Sequence, residues 1–547
     1  MKTILSHIQL LFILFAVKSA FSSSEDFAFI KLISGDSIRH HVQVLGSDRL
    51  EGRATGSIGE KLASDYLATT LDTYGILPAV NNTYFQTVPL HGSIPLPTSE
   101  LRLVCEDSTT ILDLGDDYLL FKSGEQTFIP QPLPMVFVGY GIVAPEFDYN
   151  DYQDLDVTGK IVVYLSGEPA SDDDTYFNGN LPTIYSYAEA KERIAISRGA
   201  QGSILIPNPN EMPKTWELWR REFAFEDITL PYSVAGHLSI MLNPIKASRL
   251  FKASPHSFAH ILQQHEGNAI HSFELNAELS FRGVFRERDF VSRNVIGKIA
   301  GTDPQRRDEY VIVSAHLDHL GIGPPVRGDS IYNGVVDNAL GCAGLLEIAR
   351  VLNQFHPRRS ILILFLTGEE KGLLGSQYYI DNPIVPHYQS TAAINIDGLA
   401  IFDRFRDVIP YGAELSSLMN SIQIVSRHLG VQISPFTSEF SRVEAFARSD
   451  QVVFARAGIP SMLLMEGMDF ENYTTEQAIK LHVDWMTTRY HSPFDDLNQN
   501  IDWRAVRQHS QVLLGLIWHL TQTKTVPVWK AGTPYMTARL QSIAEKR

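Results

Sequence analysis

Short apolar runs alternate with amphipathic stretches along the second half of the chain, from Val291 to Thr523. Continuous apolar runs indicate strands that are buried on both faces, and apolar residues three and four apart predict helices. The predicted strands are 312–315, 360–367, 391–396 and 460–465, and the predicted helices are 339–355 and 503–523. This alternation predicts an α/β fold, a doubly wound and mostly parallel sheet covered by helices.

The pattern changes between residues 126 and 285, where short β-rich runs lie between Pro, Gly and Asp turns. Upstream, helices are predicted at 36–44 and 59–74, on either side of a glycine-rich polar loop, 45–56, that we expect to border the active site. We therefore predict an N-terminal part of the main domain at 23–125, an inserted β-rich α/β domain at 126–285, the main domain at 286–525 and a C-terminal tail at 526–547.

The N-terminus resembles a leader. An apolar run at 7–17 follows Lys2 and ends in a serine-rich exit, and it is too short to span a bilayer comfortably. Residues 1–22 are therefore predicted to be a signal peptide, and no later run is apolar for long enough to cross a membrane. We expect a protein that is secreted or periplasmic, with no stable membrane span after signal removal.

The net charge and the cysteine content argue against nucleic-acid binding and against a disulfide scaffold. The net charge of -16 arises from 62 acidic and 46 basic residues without a basic run, which argues against nucleic-acid partners. Cys105 and Cys342 are the only cysteines, so a disulfide scaffold is excluded, while the sequence leaves open whether they pair.

Histidine and acidic residues follow the predicted strands. His316 and Asp318 come after the run 310–315, the Glu369-Glu370 pair after 360–367, and Asp397 at the end of 391–396. In doubly wound sheets, ligands bind beyond the carboxyl ends of the strands. Two further residues belong to comparable settings: Asp337 precedes a predicted helix, and His491 lies in the loop ahead of the last helix.

Two imidazoles and three carboxylates suit a pair of zinc ions, because one carboxylate can bridge the metals. We expect Asp337 to bridge, and Glu370 and Asp397 to bind one metal each. Since adjacent buried carboxylates repel, Glu369 is given a different role as general base.

The remaining roles are supporting ones. The Asp318 carboxylate is expected to accept the second imidazole N–H of His316, and Tyr490 could donate to a developing oxyanion. Each motif alone is weak: His-x-Asp could be a surface pair, Asp337 a helix cap, and Glu-Glu an ordinary helix start.

Taken in order, the five motifs resemble the co-catalytic zinc aminopeptidase family that also contains glutamate carboxypeptidase and glutaminyl cyclase. The motifs are His-x-Asp, Asp before Asn-Ala, Glu-Glu, Asn-x-Asp-Gly and Tyr-His-x-Pro. The resemblance covers about 291–520 together with 45–74. It implies two zinc ions, one bound by His316 and Asp397 and the other by Glu370 and His491, with Asp337 between them.

The middle region is similar to the protease-associated domain, which implies a lid or substrate-gating role. Ser449-Asp450-Gln451 departs from the Ser-Asp-His of the family, so any role of that histidine is absent.

The favoured function is an exopeptidase acting on peptides, an aminopeptidase in which hydroxide held by two zinc ions attacks the carbonyl and Glu369 transfers the proton. A carboxypeptidase would need a basic residue such as Arg442, Arg448 or Arg489 near the site. The sequence also leaves open glutaminyl cyclisation, a transferase activity that uses one zinc, and a non-catalytic scaffold, although such scaffolds typically lose the metal ligands that this chain retains. Side-chain preference and oligomeric state are not set by the sequence.

Overall fold

The computed structural model describes residues 27–546 except 106–107, 122–127, 174, 180–182, 213, 234–236, 253 and 435–445. The predicted signal peptide and Arg442 lie outside the described residues. Among the described residues two compact units are present: the first draws on 27–88, 292–434 and 446–546, and the second on 89–291.

A twisted sheet forms the centre of the first unit. Its strands are β1 (Phe285–Ile299), β2 (Tyr310–His316), β3 (Ser360–Leu366), β4 (Ser390–Asn395), β5 (Asp407–Tyr411), β6 (Gln432–Ile433) and β7 (Ser461–Glu466). They are ordered β1-β3-β2-β4-β7-β5-β6. The central strands β3, β2, β4 and β7 run parallel, whereas β1 and β5 pair antiparallel with their neighbours.

Helices cover both faces of this sheet. They are α1 (Gly35–Leu45), α2 (Ile58–Thr73), α3 (Gly341–Phe355), α4 (Leu374–Asp381), α5 (Leu418–Leu429), α6 (Gln451–Arg456), α7 (Thr475–Thr488), α8 (Trp503–Gln522) and α9 (Met536–Ala544). On one face, Ile312 packs in a cluster with Tyr379 of α4 and Phe454 of α6. Because side chains alternate along a strand, Val311 and Val313 point to the opposite face, where α3 and α8 contact β2. This two-sided burial explains why the strands read as unbroken apolar runs.

Shorter elements complete the first unit. They are the strands Leu77–Pro78, Gly321–Val326 and Asp329–Tyr332, the last two forming a hairpin. The segment predicted as a tail contains helix α9.

The second unit is built on its own sheet. In spatial order the strands are Ser108–Leu112, Glu100–Cys105, Phe273–Arg282, Phe128–Phe137, Ile161–Leu165, Gly202–Ile206, Leu238–Leu242 and Tyr118–Leu120. Helices Ala188–Ser197, Trp216–Glu222 and Phe258–Glu266 accompany it, and Val143–Ala144 pairs with Tyr149–Asn150. Asp227–Thr229 pairs with the strand Phe85–Pro95.

The second unit starts earlier than the insertion expected at 126–285. Its strands Glu100–Cys105 and Ser108–Leu112 pair with each other, and the former also pairs with Phe273–Arg282. Alternation of apolar and polar residues upstream of residue 126 does not indicate which sheet a strand joins, because the partner strand Phe273–Arg282 lies more than a hundred residues further along the chain. The protease-associated identity of this unit remains a prediction.

Cys105 and Cys342 are both buried, and they are not joined in a disulfide. Within the part of the chain that the structure describes, no helix is long and apolar enough to cross a membrane.

Candidate metal centre

The predicted ligands lie at one edge of the first unit's sheet. His316 is the last residue of β2, Glu369 and Glu370 follow β3, and Asp397 follows β4. Parallel strands end at the same edge, so these side chains are brought close together. Asp337 and His491 join them from the turn Val335–Leu340, which leads into α3, and from the loop after α7.

Asp337 lies between the two predicted imidazole ligands. Its Oδ1 is 3.1 Å from Nε2 of His316, and its Oδ2 is 3.4 Å from Nε2 of His491. The two oxygens of one carboxylate therefore face different imidazoles. This is the arrangement that a bridging ligand requires.

Each imidazole has a second carboxylate beside it. Nε2 of His316 is 3.2 Å from Oδ1 of Asp397, and Nε2 of His491 is 3.1 Å from Oε2 of Glu370. The structure thus brings together all five side chains expected to bind metal, in two groups that share Asp337.

The donor chemistry fits divalent zinc. His316, Asp337 and Glu370 offer ligand atoms within 4.8 Å of one another, and so do His316, Glu369 and Asp397. Imidazole nitrogen and carboxylate oxygen are both zinc ligands, and the converging acids would repel without a cation between them. These residues could hold zinc.

Comparison with known proteins agrees with this geometry. The sequence profile of peptidase family M28 matches residues 294–517, which include all five of these side chains. The matched segment is therefore similar to peptidase family M28, and it contains the whole predicted ligand set.

Two curated relatives match part of the chain. Aminopeptidase Y of Saccharomyces cerevisiae is 25% identical over 231 residues, covering 41% of this chain and 37% of the relative. Leupeptin-inactivating enzyme 1 of Streptomyces exfoliatus is 27% identical over 251 residues, covering 43% and 50%. The chain therefore spans between about a third and a half of the length of these relatives.

A solved structure shows the same fold. The aminopeptidase from Aneurinibacillus sp. strain AM-1 matches with a TM-score of 0.57 at 17% identity, covering 93% of this chain and 98% of that one. At this identity the match shows the fold alone.

Glu369, within the M28-matched segment, lies beside the predicted ligands. Its backbone N–H donates to Oδ1 of Asp318 at 3.1 Å, and its carboxylate is grouped with His316 and Asp397. Burial and the nearby acids Asp397 and Glu370 raise the pKa of Glu369 well above its usual value, despite the lowering effect of His316. A carboxyl group with a raised pKa suits proton transfer.

The role expected for Asp318 needs correction. Its carboxylate Oδ1 is 3.8 Å from Nδ1 of His316, too far for a hydrogen bond, while its backbone oxygen is 3.2 Å away. The carboxylate instead accepts from the Thr55 hydroxyl at 2.9 Å and from the Glu369 backbone. The chain leaves β2 after His316, so strict alternation no longer fixes the direction of Asp318.

Tyr490 stacks on the neighbouring His491. The ring centroids are 3.8 Å apart with an interplanar angle of 20°. Burial, together with Asp337 and Glu370, raises the pKa of the Tyr490 hydroxyl well above its usual value. The hydroxyl therefore stays protonated and can donate a hydrogen bond.

No role was predicted for His319 from the sequence. Its ring is fully buried, and its Nδ1 lies 2.6 Å from Oε1 of Glu370, the oxygen turned away from His491. The two oxygens of Glu370 thus face two different imidazoles. His319 directly follows His-x-Asp, so the longer pattern His-x-Asp-His was the sequence signal that could have identified it.

Two residues for which no role was predicted, Asp495 and Asn338, fix the turn that carries Asp337. Asp495 accepts hydrogen bonds from the backbone N–H of Val336 at 2.9 Å and of Asp337 at 3.1 Å. Asn338 donates to the Ile396 carbonyl at 2.8 Å and accepts from the N–H of Gly398 at 2.9 Å. Asn338 therefore ties the Asp337 turn to the loop that holds Asp397.

Asp450 and Gln451 belong to the segment Ser449-Asp450-Gln451, which departs from the Ser-Asp-His pattern of the resemblance. Asp450 is fully buried and accepts from the Ser376 hydroxyl at 2.5 Å, and burial raises its pKa to about 7. Gln451 accepts from the amide of Asn395 at 2.9 Å. Gln451 therefore contacts the end of β4, close to Asp397, whereas Asp450 contacts helix α4.

Proposed function

We propose that this chain is an exported zinc-dependent exopeptidase that removes N-terminal residues from peptides and binds two zinc ions. The observation that carries the proposal is the position of Asp337, with one oxygen toward His316 and the other toward His491. One carboxylate between two imidazole-carboxylate pairs is the ligand pattern of a two-metal hydrolase.

His316 and Asp397 would hold one zinc, Glu370 and His491 the other, and Asp337 would hold both. When bound, the two ions would polarise the scissile carbonyl and lower the pKa of an attacking water. Bound zinc would also balance the negative charge of the buried acids, since three carboxylates converge there with two imidazoles.

The protein's own groups supply the proton transfers. Glu369 would accept a proton from the attacking water and deliver it to the leaving amine, since its position is held by the Asp318 contact to its backbone. Tyr490 would donate to the carbonyl oxygen as negative charge develops there. Asp318 would act by orienting the Glu369 loop.

Support for aminopeptidase specificity comes from the relatives, since Aminopeptidase Y is similar over 231 residues of this chain. Among the arginines considered for a carboxypeptidase, Arg489 donates to the Phe494 carbonyl at 2.7 Å and is thereby partly engaged. Export is inferred from the predicted signal peptide.

Two adjacent substitutions test the assignment. In Glu369→Gln, turnover should fall by about 10²–10⁴-fold while bound zinc is retained, because only the general base is removed. In Glu370→Gln, the matched control, zinc itself should be lost. Turnover would be followed on an aminoacyl-anilide panel, and zinc by metal analysis of the purified protein.

Normal turnover in Glu369→Gln would refute the assigned base. Cleavage of peptides with a blocked amino terminus, but not of those with a blocked carboxyl terminus, would indicate a carboxypeptidase instead. A single zinc per chain with ammonia released from N-terminal glutamine would indicate glutaminyl cyclisation.

A further inference from the structure

Arg53 is a fully buried cation in the loop between α1 and α2. It is 1% exposed and adopts a positive φ of 51°. This loop precedes the segment 294–517 that matches family M28. A buried guanidinium must satisfy its N–H groups inside the protein, since an unpaired buried charge is costly.

The Arg53 guanidinium donates hydrogen bonds to backbone carbonyls. Nε donates to Leu317 at 2.9 Å, Nη1 to Asn333 at 2.6 Å, and Nη2 to Gly334 at 2.8 Å. Nη1 also donates to Leu45, at the end of α1, at 2.7 Å. One side chain therefore joins three separate segments.

Two of these segments carry the metal ligands. Leu317 follows His316 directly, and Asn333-Gly334 leads into the turn that bears Asp337. The guanidinium thus sets the distance between the backbone of the first imidazole ligand and that of the bridging carboxylate. A planar group with several fixed N–H directions can reach both at once, which lysine cannot reproduce.

The same loop makes further contacts with the strand end. The backbone N–H of His319 donates to the Arg53 carbonyl at 3.2 Å, and the Thr55 hydroxyl donates to Oδ2 of Asp318 at 2.9 Å. Gly52 has a φ of 67°, and a Cβ there would lie 2.1 Å from the Tyr332 carbonyl oxygen. The loop is therefore fitted closely against both ligand-bearing segments.

We propose that Arg53 is a positioning residue for the metal centre, so that high zinc affinity depends on a loop outside the M28-matched segment. The proposal rests on the proposed function only in taking zinc as the metal. Arg53 acts through the backbone, by holding His316–Leu317 and Asn333–Gly334 at one separation.

Zinc affinity of the full chain tests the proposal without requiring activity. Arg53→Lys, which keeps the charge, and Arg53→Met, which removes it, would be compared with wild type by competition against a chromophoric zinc chelator. Both should bind zinc about 10–100-fold more weakly, the range for residues that support metal ligands. Arg49→Met is the matched control, since Arg49 is exposed in the same loop, and it should bind as wild type.

Amide hydrogen exchange separates positioning from general folding. In zinc-free Arg53→Lys, exchange should accelerate at residues 317–319 and 333–337 while β3 and β4 keep their protection. If Arg53→Lys and Arg53→Met fail to fold, Thr55→Val removes one contact of the same loop to Asp318 and should also weaken zinc binding, by a smaller factor.

Wild-type zinc affinity in Arg53→Lys would overturn the proposal, as would an equal loss in Arg49→Met. Weaker affinity accompanied by faster exchange throughout the domain would also overturn it, because Arg53 would then serve folding in general. A wild-type protein that binds zinc but cleaves no peptide would contradict the proposed function alone and leave this test intact.

Discussion

Each compact unit buries a group of charged side chains, and the two groups are satisfied in different ways. In the second unit, Lys191 is fully buried and donates to the carbonyls of Tyr140 at 2.7 Å and Gly167 at 2.5 Å. Asp151 accepts from the N–H groups of Tyr140 and Ile142 at 3.1 and 2.9 Å. Here backbone groups supply most of the hydrogen bonds to each charge, and the Tyr149 hydroxyl also donates to Asp151 at 2.8 Å.

In the first unit the charges converge. Asp337, Glu370 and Asp397 lie beside the rings of His316 and His491, and each contact joins one side chain to another. The difference shows that burial of charge alone does not indicate a binding site. What marks the metal centre is that several acids point toward a common centre instead of toward backbone donors.

The largest effect is expected when an imidazole is removed from the converging group of the first unit. In His319→Phe, Oε1 of Glu370 loses its 2.6 Å contact, so Glu370 is held less firmly. Zinc affinity should fall by about 10–100-fold. His319→Asn, which places an amide near the Nδ1 position, should recover part of the loss.

Chelator competition would measure both His319 variants. Equal affinity of His319→Phe and wild type would show that Glu370 needs no support from this ring.

A smaller effect, on stability alone, is expected in the second unit. Lys191→Met leaves the carbonyls of Tyr140 and Gly167 without this donor and removes the cation near Asp151. The free energy of unfolding should fall by about 1–3 kcal/mol, the cost of unpaired buried polar groups. Zinc affinity and turnover should stay at wild-type values.

Urea unfolding and limited proteolysis would report the change in Lys191→Met, and Lys252→Met, at an exposed lysine of the same unit, is the control. Loss of zinc from Lys191→Met would contradict the separation drawn between the two groups.

The smallest effect is expected at Glu60, a buried acid of the first unit that lies outside the metal ligands. It accepts from the Gly56 N–H at 2.5 Å, from the Ser292 hydroxyl at 2.6 Å and from the Thr367 hydroxyl. Burial, with a further effect of Asp318, raises the pKa of Glu60 from 4.5 to about 7. The folded state therefore favours the protonated carboxyl.

The raised pKa of Glu60 determines how the stability of the protein depends on pH. The stability contributed by protonated Glu60 is fully present below pH 4.5 and is lost as the pH rises through about 7. Between about pH 5 and pH 8, the unfolding temperature of the zinc-free wild type should fall by a few degrees relative to Glu60→Gln. Gln can supply a neutral amide in place of the carboxyl, because the Ser292 and Thr367 hydroxyls, 2.8 Å apart, can reverse their bond.

Calorimetry across this pH range would check the prediction. Parallel curves for wild type and Glu60→Gln would mean that Glu60 is ionised in the folded protein throughout.

Much of the first unit follows from local sequence. The strand predicted at 360–367 is Ser360–Leu366, and the helix predicted at 503–523 is Trp503–Gln522. Burial on a sheet that is covered on both faces produces uniformly apolar strands and amphipathic helices. Both patterns can therefore be recognised without knowing which element packs against which. The mutual approach of His316, Glu370 and Asp397 could be expected for the same reason, because parallel strand ends share an edge.

Other features depend on contacts that local pattern does not carry. His319 and Asp318 lie just past the end of β2, where alternation fails, so their directions were not predictable. Arg53 donates to backbone carbonyls, which every residue possesses, and three of its four partners are more than two hundred residues away along the chain. The start of the second unit was not predictable either, since its strand Glu100–Cys105 pairs with the distant strand Phe273–Arg282.

Glu369 and Glu370 are consecutive residues on a short turn between β3 and α4, yet the roles proposed for them differ. Any displacement of that turn shifts both carboxylates together. A substitution in this turn that changes the reactivity of Glu369 would therefore also move the carboxylate of Glu370. We expect the turn to tolerate few substitutions for this reason.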